Sequence, residues 1–337
     1  MISNHSLRRV MPALLGLAAA AALAPAARAE DTTLAMPGQN VLFLSRYIAE
    51  DQHLWEKEGL TVKILNIIGI GSMNAVIAGS ADFSMGSGPT ITRVWAKGQK
   101  VSALLTAIDQ SGQSVVIRKD LADAEHFDAK APLAERGKIL KGKTFAMGGV
   151  GAIPDIVLKV VAKDAGLAPS DVIATPMQPP EFMAAFANKS IAGFANSPPF
   201  VQQVVSDGTG VLVSDTTLGE PKEFSPVSAS LLLTRGDFCA AHKSTCEKMV
   251  HAIYEGTQII RSDPKTSLAV MKKYFSHYSD AALQAAYQAV KAMTPADPIT
   301  TPQELENGDR MNAAAGFLKP SDMLSDYKPL IDNSFVK

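Results

Sequence analysis

Two cysteines, two tryptophans and six histidines in 337 residues leave little material for metal or thiol chemistry. Leaving aside His5, the histidines are His53, His126, His242, His251 and His277, and none sits at a ligating spacing such as H-x-x-x-H. Neither a metal site nor a cofactor is therefore expected. There is no G-x-S-x-G elbow. Ser87 lies between two glycines, but the sequence places no base or acid beside it, so a nucleophilic enzyme is not indicated. Charge of one sign is also lacking, with 32 Lys and Arg against 33 Asp and Glu. Without a basic stripe, nucleic acid is an unsuitable partner.

Long apolar runs are missing beyond the N-terminus. The run from Val10 to Ala24 is about 15 residues, short of the ~20 a spanning helix needs. Arg8 and Arg9 precede it, and Ala27-Arg28-Ala29 follows as a small-residue cleavage pattern. That order is the signature of a secretory signal peptide, cleaved after Ala29. The exported chain, residues 30–337, loses three Arg and no acid, so 29 basic residues face 33 acidic ones for a net charge of −4. A lipid tether is not indicated, since no cysteine stands at the cleavage site. The two cysteines present, Cys239 and Cys246, would lie ~10.5 Å apart on one helix, too far to bridge. Ser244-Thr245-Cys246-Glu247 reads as a capping box, which starts the helix at Ser244 and leaves Cys239 in a loop able to fold back. A disulfide is expected on that reading, with two partly buried thiols as the alternative.

What the chain does contain is alternation. Apolar strands are expected at 34–36, 60–65, 82–85 and 101–107, and helices at 44–59, 72–78 and 90–96. The pattern restarts with strands at 143–147, 172–175 and 191–195 and helices at 154–165 and 181–187. Such units imply parallel sheets covered by helices. The restart is visible in the residues. Met73, Ala75, Ser80, Ser87 and Pro89 recur as Met183, Ala185, Ser190, Ser197 and Pro199, all at an offset of 110. Ala35-Met36 recurs as Ala146-Met147 at 111. Two lobes on one plan follow, with lobe 1 formed by 30–112 plus 230–337 and lobe 2 by 113–229. A strand at 227–234 is then followed by helices at 244–261, 265–274, 280–292 and 303–316, a tail expected to pack on lobe 1.

Two glycine motifs suggest nucleotides, and their context rejects both. Gly137 to Thr144 spells G-x-x-x-x-G-K-T, but it runs into a strand where a P-loop opens a helix. Gly149-Val150-Gly151 begins a dinucleotide fingerprint that Pro154 ends. As a loop before a helix it offers backbone N–H groups to an anionic or polar group.

Ligands of open α/β folds bind at the carboxyl ends of strands. The loops there carry Gln39 and Asn40, Ser72, then Ser87 and Thr90 in the first lobe. In the second they carry Gly149, Val150 and Gly151, then Gln178, then Asn196 and Ser197. They hold no Lys or Arg and one acid, Glu181, read as a helix-start carboxylate. Together they describe a cleft of neutral donors. Phe43, Phe200 and Phe224 could wall an aromatic ligand, with core packing the plainer reading.

The chain resembles the periplasmic solute-binding proteins of the nitrate/sulfonate/taurine type, which include binders of thiamine precursors and aromatic acids. The stretches that carry this are Ser45 to Val62, Ala75 to Phe83 (A-V-I-A-G-S-A-D-F), Leu140 to Ala146, Ala165-Gly166-Leu167 and Ser190 to Pro199. The resemblance implies a type II periplasmic-binding fold, two α/β lobes joined by a two-strand hinge with a helical C-terminal tail. It implies a monomer that hands a small anionic solute to the permease of an ATP-driven importer. It also implies ligand contacts from Gln39, Asn40, the Ser72 and Ser87 loops and Gly149 to Ala152. One departure is Ala192, where the family carries an acid. The alternatives are an enzyme of thiamine-pyrimidine-type synthesis, whose cysteine-rich motif is absent, and a receptor's sensory lobe, which would need a second anchor.

Overall fold

The computed structural model describes Met1 and residues 29–67, 69–215 and 218–336. Of the signal peptide expected over 1–29, residues 2–28 lie outside them. From β1 (Glu30–Met36) the chain passes through α1 (Leu44–Asp51), α2 (Leu54–Lys57), β2 (Leu60–Asn66), α3 (Gly71–Ile77), β3 (Phe83–Gly86), α4 (Gly88–Ala96) and β4 (Val101–Ile108). It crosses to β5 (Ser114–Arg118), α5 (Lys119–Ala124), α6 (Leu133–Arg136), β6 (Thr144–Met147), α7 (Ile153–Asp164), β7 (Ile173–Pro176), α8 (Pro179–Ala187), β8 (Gly193–Asn196), α9 (Phe200–Ser206) and β9 (Gly210–Ser214). A second crossing returns it to β10 (Ser230–Arg235). The tail follows as α10 (Phe238–Ala241), α11 (Lys243–Ser262), α12 (Pro264–Tyr274), α13 (Asp280–Met293) and α14 (Pro302–Ala314).

Two five-stranded sheets result, ordered β2-β1-β3-β10-β4 and β7-β6-β8-β5-β9. This is the two-lobed α/β arrangement expected from the sequence. The lettered repeat has a geometric counterpart. Leu34 pairs with Phe83 and Ala35 with Ser84, and in the other sheet Phe145 pairs with Gly193 and Ala146 with Phe194. The equivalent strands are thus in the same register. One expectation needs correcting, because the sheets are mixed. β10 runs antiparallel to β3 and β4, and β5 runs antiparallel to β8 and β9. Each antiparallel strand directly adjoins a crossing between the sheets, so its direction comes from the connection and not from a βα unit.

The strands are buried because both faces are covered. Leu34, Ala35, Leu104, Leu105, Val115, Val116, Leu231 and Leu232 are fully buried. In α11, Met249, Val250, Ile253, Gly256 and Ile260 form the inward stripe of an amphipathic helix. It packs on α1 closely enough that a Cβ at Gly256 would overlap the Ser45 carbonyl. The helix expected over 44–59 is broken, because His53 takes a left-handed conformation at φ 55 between α1 and α2. Nor is the capping box at Ser244 formed. The helix starts at Lys243, and Ser244 and Thr245 donate instead to the Glu30 carboxylate. Cys239 and Cys246 nonetheless meet, with their Cα atoms 5.7 Å apart and their sulfurs bonded.

The tail also departs from expectation. α11 and α12 pack on α1 in the first half, but α13 meets α9 and α14 meets α7, both in the second half. The tail therefore touches both halves of the molecule.

Candidate functional site

The loops at the strand ends are held by local bonds. Asn40 Oδ1 accepts from the Leu42 N–H at 2.8 Å and starts a helical turn. Exposed Gln39 donates to the Tyr274 carbonyl at 2.5 Å, tying its loop to the end of α12. Buried Ser72 donates to the Gly69 carbonyl at 3.0 Å. Ser87 and Thr90 share a hydroxyl–hydroxyl bond of 3.0 Å at the start of α4. In the second half, Asn196 Oδ1 accepts from the N–H of Ser197 at 2.8 Å, and both residues are buried. Exposed Gln178 donates its N–H to Glu181 at 3.0 Å. That places Glu181 at the start of α8 as the helix-start carboxylate expected of it. Phe43, Phe200 and Phe224 are buried within the hydrophobic core, as core packing requires.

The loop from Gly148 to Ala152 behaves differently. Val150 is 73% exposed, and a Cβ at Gly149 would meet open space. Gly151 takes φ +73, which favours glycine. Its N–H is not free for a ligand, because it donates to Asp155 Oδ2 at 2.8 Å. Its carbonyl accepts from Arg93 Nη2 at 2.7 Å. Arg93 belongs to α4, in the other half, so this bond spans the seam. Of the predicted residues, Gly151 is the one joined by a hydrogen bond to the opposite half.

Arg93 corrects the picture of a cleft made of neutral donors alone. It escaped the sequence argument because it lies six residues past Ser87, inside a helix. The available signal was directional, since helical side chains lean back toward the N-terminus and a long one near the first turns reaches the strand-end loops. Burial pulls its guanidinium below the usual value, against the opposing pull of Asp155 and Asp309. Asp155 is fully buried and also accepts from Lys159 Nζ at 3.1 Å. Lys159 Nζ stands 3.9 Å from the centre of the Phe317 ring, with the Arg93 guanidinium carbon 5.7 Å from the same ring.

The tail also joins the second half at α9. The Ser279 N–H donates to Gln203 Oε1 at 3.1 Å, and Tyr278 meets Phe200 edge-on at 5.6 Å. Gly137 to Thr144 forms a helical turn that leads into β6, and a Cβ at Gly137 would press on Ala165 and Val161 of the α7 region. Its glycine serves packing. Among the described residues, no group of three or more His, Cys, Asp or Glu is placed to hold a metal ion. Among them too, no helix is long and apolar enough to cross a membrane.

The sequence model of the NMT1-like family matches residues 42–274, more than half of the chain. No curated protein is similar in sequence comparison. Several solved structures share the fold. A protein from Bordetella bronchiseptica RB50 is 22% identical with a TM-score of 0.74, covering 92% of this chain and 96% of that one. The alkanesulfonate-binding protein of Xanthomonas axonopodis pv. citri, bound to MOPS, is 16% identical with a TM-score of 0.69, covering 90% and 98%. The periplasmic nitrate-binding protein of Synechocystis PCC 6803 is 14% identical with a TM-score of 0.66, covering 90% and 86%. At these identities the likeness is one of fold.

Proposed function

We propose that this chain, which belongs to the NMT1-like family, is the exported substrate-binding protein of an ATP-driven importer. It captures a small organic anion, such as a sulfonate, taurine or an aromatic carboxylate, or nitrate, in the cleft between its halves. The lobes comprise 30–112 with 230–337, and 113–229. They move about the two crossings, from β4 to β5 and from β9 to β10, and the monomer delivers its ligand to a membrane permease from the periplasm after cleavage at Ala29. The observation that carries this reading is two sheets of matching register, with Arg93 of α4 bonded across to Gly151 in the loop after β6. Alkanesulfonate and nitrate binding by the structural neighbours supports the ligand class. Arg93 supports an anion further, as a cation at the seam.

The contacts assigned to ligand are Gln39, Asn40, Ser72, Ser87, Thr90, Gly149, Val150, Gly151, Gln178, Asn196 and Ser197. Their test is thermal unfolding against nitrate, alkyl sulfonates, taurine, aromatic carboxylates and thiamine precursors. A ligand bound only by the folded state stabilises it by about 2.7 kcal/mol at a hundredfold excess over its dissociation constant. A shift with one class, without turnover, is the expected result. Turnover of any of them would replace capture with catalysis. Unchanged affinity in a Ser72→Ala, Ser87→Ala variant would remove those residues from the site.

A further inference from the structure

The loop between β1 and α1 is braced by the end of α12. Gln39 Nε2 donates to the Tyr274 carbonyl, and Lys273 bonds Asp51 of α1 at 2.6 Å. Tyr47, in the first turn of α1, is only 5% exposed. Its ring lies 4.7 Å from that of Tyr274 and meets Phe275 edge-on at 5.5 Å. The Arg46 guanidinium carbon covers it from 4.5 Å. Burial pushes the Tyr47 phenol up, against the charge of Arg46 and a hydrogen bond from the Asn40 backbone. The phenol oxygen is therefore an acceptor for the Asn40 N–H, which ties the loop to the aromatic stack.

The polarity of the Asn40 side chain is fixed as well. A backbone N–H can only donate, so the atom that accepts from Leu42 at 2.8 Å is Oδ1, and Nδ2 is turned the other way. Among the described residues no bond engages that Nδ2, and Asn40 is half-buried at the carboxyl end of β1.

We infer that Tyr47 is a positioning residue, setting with the end of α12 the backbone of the Gln39–Asn40 loop so that Asn40 presents a donor, Nδ2, to the ligand. Such a donor suits the oxygens of a sulfonate, a carboxylate or nitrate, and it discriminates against an ammonium group. Tyr47 acts on the ligand through Asn40.

The inference rests on the capture of an anion in the cleft, and its test separates the two. Hydrogen exchange over residues 38–44 of the ligand-free protein is compared for the wild type, Tyr47→Phe and Asn40→Asp, with unfolding midpoints alongside. Titration calorimetry follows with nitrate, taurine, ethanesulfonate and benzoate. Tyr47→Phe keeps the ring and deletes the acceptor. It should exchange faster over that stretch at a nearly unchanged midpoint, and bind the anion that the wild type prefers about fivefold more weakly. Asn40→Asp keeps the cap, since the two residues serve equally well there, and should exchange like the wild type. It replaces the donor with a carboxylate oxygen and should lose about tenfold or more in affinity. A structural role alone would not give that split, affinity lost with the loop still protected. Unchanged exchange in Tyr47→Phe overturns the positioning role, and wild-type affinity in Asn40→Asp overturns the donor. If no probe binds the wild type while Tyr47→Phe exchanges faster, the capture of an anion falls and the positioning of the loop stands.

Discussion

Asp82 shows how one side chain can fix a strand register. Its Oδ2 accepts from the Thr33 N–H at 2.9 Å, the Thr33 hydroxyl at 2.8 Å and the Thr32 hydroxyl at 3.1 Å. It thereby ties the start of β3 to β1. Asp82→Ala should cost about 1–3 kcal/mol in denaturant unfolding, because it strands several donors at once. The equivalent position in the second half is Ala192. There Arg118 takes over, donating Nη1 to the carbonyls of Lys189 and Ile191 at 2.6 and 3.0 Å. Glu30 gives a pH-dependent case. The bond from Lys248, with those from Thr245 and Ser244, pulls its carboxyl down to about 2. A carboxyl that ionises more readily in the fold stabilises above its ordinary value near 4.5, and that support is lost as pH falls from there to about 2. Glu30→Gln should therefore lower stability at neutral pH by roughly 0.5–1 kcal/mol, a modest sum because the pair is part-exposed. The difference should vanish near pH 2. A gap that persists there would show that the contribution is not one of charge.

Among the elements, α14 is the one whose seating is most exacting. A Cβ at Gly308 would stand 2.9 Å from the Pro89 nitrogen. Replacing glycine by alanine inside a helix ordinarily stabilises by up to about 1 kcal/mol. Here overpacking reverses the sign, and Gly308→Ala should destabilise by about 1–3 kcal/mol in thermal unfolding. The turn between α10 and α11 gives a further prediction. Closing the loop between Cys239 and Cys246, seven positions apart in sequence, is worth about 2 kcal/mol on the chain-entropy account. A reductant, or a double alanine variant, should lower the unfolding midpoint accordingly, and an unchanged midpoint would mean the thiols are unpaired in solution. Element positions were largely legible, since strands such as β1 and β4 and helices such as α7 and α13 carry their own periodicity. β5, β9 and α9 were missed. Ser114 to Arg118 is too short for alternation to appear, and four of its five residues are buried from both faces.

For the molecule as a whole, the lettered repeat was the decisive sequence signal, and the strand registers reproduce it. What the repeat could not convey was the direction of β5 and β10. That depends on how two distant stretches cross between the halves, a relation no local period records. The contact of the tail with both halves was hidden for the same reason, as was the reach of Arg93 to Gly151. These features depend on residues far apart in sequence, such as Ser279 with Gln203 and Phe317 with Lys159.

The place of β10 between β3 and β4 has a consequence for the order of events on a growing chain. β4 joins its sheet only through β10, so the first sheet stays open until residue 235 has been made. The second sheet draws all its strands from 114–214 and is complete earlier. The half encoded second can therefore fold first, while the half encoded first waits with a strand unplaced.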